Sequence, residues 1–108
     1  MNLVTEIFGK VIVVHAPEEL DAERAEGFVA CITSLDRSNV VLDLDQTELI
    51  DSRGLEALIK THRHLREDNG DLKISATNAS NRKILEITRL DEHLEVFDNV
   101  LEAVKSYS

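Results

Sequence analysis

The chain has 108 residues, 43% of them apolar, and a formal charge of −9 at pH 7. That length fits one domain built around one core, and that apolar content excludes intrinsic disorder. Twelve basic against 21 acidic residues, with three Phe, one Tyr and no Trp, exclude a nucleic-acid surface, which needs cations for phosphates and rings for bases.

The elements follow in chain order. Lys10–His15 reads as a β-branched strand, paired with a short Leu3–Phe8 strand through Gly9 and ended by Pro17. Leu20, Ala25, Phe28, Val29, Ile32 and Leu35 recur at helical spacing, with Asp21, Glu23, Arg24 and Glu26 outside the stripe. Val40–Leu44 is the apolar run of a central strand, and Asp45–Asp51 a loop. A second helix starts at Ser52, carries Leu55, Leu58, Ile59, His62 and Leu65 on its apolar side, and stops at Asn69-Gly70, a left-handed C-terminal signal. Leu72–Ser75 is a third core strand, Ser80–Arg89 a helix with Ile84, Leu85 and Ile87 as its apolar members, and Leu94–Phe97 a last short strand. Asn99 caps a final helix bearing Val100, Leu101 and Val104. Strands alternating with helices predict a single α/β domain over residues 1–108.

Chemistry concentrates at Ile50-Asp51-Ser52-Arg53-Gly54-Leu55, where a strand's loop ends and a helix begins. A hydroxyl there faces unpaired N–H groups and the positive end of the helix dipole, so a phosphate on Ser52 would be held by both. Ser52 and Asp51 both suit the N-cap position, and the sequence leaves open which of them fills it. The turn resembles a nucleophile elbow, but Ile50 stands where that motif needs its first glycine, and no histidine spacing points at Ser52. His62 and His64, two apart on a helix, make a poor metal pair; His62 reads as a boundary packing residue and His64 as exposed. Asp43 and Asp45 read as solvated loop carboxylates, and Gly9, Gly27, Gly54 and Gly70 are too scattered for a phosphate-binding loop. No nucleophile, base and orienting group come together, so the expectation is a non-enzymatic protein without a cofactor or metal.

Cys31 stands alone, which fits a reducing compartment. Met1–Glu6 lacks the charged and apolar segments of a signal peptide, and no apolar run approaches the ~20 residues of a membrane span. A cytoplasmic location without membrane insertion is expected.

Three segments together resemble the STAS domain of bacterial anti-sigma-factor antagonists. Val40–Leu44 through Ile50–Leu55 is similar to the family's "strand, Asp-Leu, loop, Ile-Asp-Ser-Ser-Gly-Leu" signature. Glu19-Leu20-Asp21-Ala22 resembles its Gly-Glu-Leu-Asp segment, and Ile87–Asp91 with Val96-Phe97 and Val100–Ala103 its "Thr-Gly-Leu-Asp … Phe … Glu-Ala" ending. The resemblance implies a mixed four- to five-stranded sheet with about four helices packed mainly on one side. It also implies a switch. Ser52 would be phosphorylated by an anti-sigma factor that is a serine kinase with a histidine-kinase-like ATPase fold. A metal-dependent serine phosphatase would reverse this, and only the unphosphorylated form would bind the anti-sigma factor. The partner-binding set it implies is Leu20, Asp21, Asp51, Ser52, Arg53, Gly54 and Glu56. Arg53 stands at the family's second serine and Glu56 at its usual glycine after Leu55, and an arginine in the first helical turn opposes the dipole by about 0.3–1 kcal/mol. The rival reading is a constitutive scaffold subunit, for example of a lipid transporter, in which Ser52 is only a helix cap.

Overall fold

Why the sheet takes its form follows from the strand sequences. The computed structural model describes residues 1–108. β1 (Thr5–Phe8) and β2 (Val11–His15) form an antiparallel hairpin whose turn puts Gly9 at φ 61°, a left-handed conformation that glycine adopts without penalty. Val11–Val14 are all buried, as expected of an inner strand covered on both faces. The chain then runs through β3 (Glu19–Leu20), α1 (Ala22–Thr33), β4 (Asn39–Asp43), β5 (Leu49–Ile50), α2 (Ser52–Glu67), β6 (Asp71–Ser75), α3 (Ala79–Ile87), a 3-10 turn (Leu90–Glu92), β7 (Val96–Phe97) and α4 (Val100–Lys105).

The main sheet has the order β1-β2-β4-β6-β7, with every pair after the hairpin parallel. Each crossover steps one strand in the same direction. Right-handed crossovers then put α1, α2 and α3 on one face. There Phe28 and Ile32, Ala57, Leu58 and Leu65, and Leu85 join Ile12, Val14, Val40, Leu42, Leu72 and Ile74 in the main core. Only α4, which follows the last strand, covers the opposite face, setting Ala103 over Val11, Val13 and Val41. The fold is the mixed five-stranded, four-helix arrangement expected.

The structure revises several local expectations. Leu20 pairs with Ile50 in the separate β3–β5 ribbon and does not open the first helix, which starts at Ala22 with Asp21 as its cap. The loop after β4 therefore contains a strand. Asn69, at φ 64°, is the left-handed residue ending α2, while Gly70 is required for another reason: a Cβ there would overlap the Ser38 carbonyl. α3 stops at Ile87, which is exposed, and the last strand shortens to Val96–Phe97. In α4, Asn99 accepts from the Glu102 N–H as expected, but Ala103 is the buried residue and Leu101 points to solvent.

Asp43 is not a solvated loop carboxylate. It is buried, and His15 Nδ1 lies 2.8 Å from its Oδ2. Asp45 is exposed and accepts from the Thr77 hydroxyl at 2.6 Å. Lys73, an inner-strand lysine, lies under the C-terminal helix: Nζ donates to Ser106 Oγ at 2.8 Å and sits 4.2 Å from the Tyr107 ring centroid. The Tyr107 hydroxyl lies 2.8 Å from the carbonyls of both Val40 and Asp71, and burial, with the Asp71 charge, pushes its ionisation well above the usual phenol range.

Candidate functional site

Two helices begin at one place. Asp51 is extended at φ −96°, ψ −175° and is the N-cap of α2. Its Oδ1 accepts from the Gly54 N–H at 2.9 Å, and its Oδ2 accepts from the Ala22 N–H at 3.1 Å, at the start of α1. One carboxylate thus satisfies an orphan donor at each helix start. The Gly54 bond, aided by the Ala22 and Arg53 N–H groups and the Arg53 charge, holds the Asp51 carboxyl below the usual carboxylate range against an opposing push from desolvation.

Close packing supports this convergence. The Asp51 N–H donates to the Leu20 carbonyl at 3.2 Å, and a Cβ on Gly54 would overlap that same carbonyl oxygen. Glycine is needed here for proximity of backbone to backbone. Leu20 is 0% exposed and Gly54 is buried. Leu20 and Gly54 thus shape the turn from below, whereas Asp21, Asp51, Ser52, Arg53 and Glu56 reach its surface.

Ser52 is the first residue of α2, exposed, with Asp51 doing the capping. The cap question that the sequence left open is settled for Asp51, so the reading of Ser52 as only a helix cap does not match the geometry. Arg53 and Glu56 are exposed on the same turn, 3.9 Å apart and so in a weak surface pairing. Asp21 is half-buried and holds Arg24 Nη1 at 3.0 Å. Beside Ser52, a groove of about 640 Å³ runs between α1 and α2, floored by Ala22, Ala25, Val29 and Ala57 and rimmed by Arg53 and Lys60.

The loop before Ser52 is held by residues that the sequence reading passed over. Thr47, fully buried, donates its hydroxyl to the Pro17 carbonyl at 2.8 Å. Asn81 on α3 donates through Nδ2 to the carbonyls of Leu44 and Thr47, both at 3.0 Å. A signal existed: Asn81 lies four residues before Leu85, on the apolar side of its helix.

No three His, Cys, Asp or Glu side chains are placed to hold a metal ion, and no helix is long and apolar enough to cross a membrane. His62 is half-buried with Nε2 3.0 Å from Asp71 Oδ1, and His64 is exposed.

The site thus sits on a small mixed sheet with its helices mainly on one face, where the Asp51-capped helix leaves Ser52 exposed. The family model for the STAS domain matches residues 2–103, and the chain belongs to that family. Among solved structures it is similar to a putative anti-sigma factor antagonist from Thermotoga maritima, at 21% identity and TM-score 0.86 over 96% of this chain and 92% of that one. A sulfate transporter family protein from Wolinella succinogenes aligns at 16% identity and TM-score 0.81, covering 94% of this chain and 87% of that one. The Bacillus cell fate determinant SpoIIAA in its phosphorylated form aligns at 17% identity and TM-score 0.72, over 99% and 100%. At these identities the likeness is one of fold.

Proposed function

We propose that this chain is a non-enzymatic anti-sigma-factor antagonist of the STAS type, switched by phosphorylation of Ser52. The observation that carries the reading is the division of labour at α2. Asp51 supplies the cap and leaves the Ser52 hydroxyl exposed. The acceptor is thus open to a kinase without any helix end having to unravel. The phosphorylated state of one structural neighbour is consistent with this reading.

A phosphoserine adds about −1.5 to −2 charges. The helix dipole and Arg53 partly offset it, so the free domain stays folded. A partner docked over Asp21, Asp51, Ser52, Arg53 and Glu56 must instead desolvate that charge beside carboxylates already present. A buried, unpaired charge costs roughly 3–5 kcal/mol, which weakens binding on the order of a hundredfold or more. The partners of this scheme are an anti-sigma factor that is a serine kinase with a histidine-kinase-like ATPase fold, and a metal-dependent serine phosphatase, all meeting in the cytoplasm.

The test is a paired capture from the native lysate with wild type and Ser52→Asp as baits. Wild type retains an ATP-binding serine kinase that Ser52→Asp loses wholly or in part. The transporter-type neighbour supports one rival, a constitutive scaffold; equal capture of the same membrane-transport subunits by both baits would select it.

A further inference from the structure

β1 is the outer strand at one edge of the sheet, and all four of its residues are exposed. Met1, Val4, Ile7 and Phe8 are 50%, 70%, 57% and 47% exposed, so half of the chain's exposed large apolar side chains lie in its first eight residues. The opposite edge is β7, only two residues long and half-buried, flanked by Glu95 and Asp98. A short, charged border is the ordinary protection of a sheet edge; an apolar one invites another strand.

The backbone says what covers this edge. His15 N–H donates to the Val4 carbonyl at 2.9 Å. Donor and acceptor directions alternate along an antiparallel pair, and Thr5 lies opposite Val14 and Ile7 opposite Ile12. Val4, Glu6 and Phe8 therefore turn their peptide groups towards β2. Thr5 and Ile7 turn theirs outward, a row that an incoming extended strand matches. A helix or a compact loop does not match that row.

Charge selects the occupant. Residues 1–10 contain one acid, Glu6, and one base, Lys10, so the formal charge of −9 resides in the rest of the chain. Two strongly acidic copies repel least where their surfaces are neutral. We propose that β1 is a self-association strand, through which two copies pair antiparallel about a two-fold axis at Ile7 to form one continuous sheet. With Ile7 facing its symmetry mate, Glu6 lies opposite Phe8 of the second copy. An axis at Glu6 would set two like charges directly opposite, which is unfavourable. Ile7 then packs on its symmetry mate on one face, and each Phe8 lies against the aliphatic part of Glu6 of the second copy on the other.

Sedimentation equilibrium of the full chain over a wide concentration range tests this. The weight-average mass rises from 12.1 kDa towards twice that value. Ile7→Lys, at an exposed side chain, and Thr5→Pro, which removes an N–H pointing away from β2, each raise the dimer dissociation constant at least tenfold. Amide exchange at Thr5 and Ile7 slows as concentration rises, which a dimer formed elsewhere does not produce. A chain monomeric at every concentration overturns the proposal, as does a dimer that both variants retain. Neither result bears on Ser52, so this inference and the phosphoserine switch fail separately.

Discussion

Replacing Ser52 with alanine and replacing Asp51 with alanine have different expected consequences for folding, because only Asp51 accepts the Gly54 and Ala22 N–H groups. Asp51→Ala lowers the melting temperature on the order of 5 °C, a typical effect of losing a cap in a domain this size. Ser52→Ala leaves it within roughly 1–2 °C, as for a surface change away from any cap. Thermal unfolding of the two variants side by side checks both. Acid sharpens the comparison. The folded Asp51 carboxyl ionises below its unfolded value of about 3.9. Its contribution is complete above that value and is lost as pH falls through the depressed folded value. The gap between wild type and Asp51→Ala is therefore constant near neutrality and closes in strong acid.

At the scale of elements, Gly54 and Gly27 give opposite answers to the same substitution. Both are helical, and alanine gains about 0.5–1 kcal/mol over glycine inside a helix. At Gly27 a new Cβ meets only Met1, at ordinary contact distance, so Gly27→Ala stabilises by about that amount. At Gly54 the Cβ would strike the Leu20 backbone, which cannot step aside without opening the β3–β5 ribbon. The overpacking term of about 1–3 kcal/mol outweighs propensity, and Gly54→Ala destabilises. Denaturant midpoints of the two variants test the sign of each.

This close approach also shows where sequence reading reached and where it stopped. Val40–Leu44, the helix after Ser52 and the Asn99 cap were legible because local periodicity and capping chemistry fix them. The β3–β5 ribbon was not, since two-residue strands carry no period and exist through contacts distant in the chain. Asp43 looked like a loop carboxylate because nothing local to it points to His15, 28 residues earlier. At the site, the motif located Ser52, but only the three-dimensional meeting of α1 with α2 assigned the cap to Asp51 and moved Leu20 and Gly54 beneath the surface.

For the molecule as a whole, one-directional crossovers leave the starts of α1 and α2 side by side at one end of the sheet, while α4 closes the far face. The proposed switch needs no rearrangement of that frame. In that proposal a local charge at an exposed turn alters what docks there, while Thr47 and Asn81 brace the preceding loop. The β1 edge is a different part of the surface, so the self-association proposed there leaves the α2 turn free. The central claim is that Ser52 carries the regulated phosphate. The most direct measurement is phosphosite mapping by tandem mass spectrometry of the protein isolated from its own cells, alongside Ser52→Ala. A phosphate on Ser52 in a fraction of the wild-type chains, with none in Ser52→Ala, is the result expected. Wild-type protein that carries no phosphate under any growth condition, or carries it on another residue, contradicts the account.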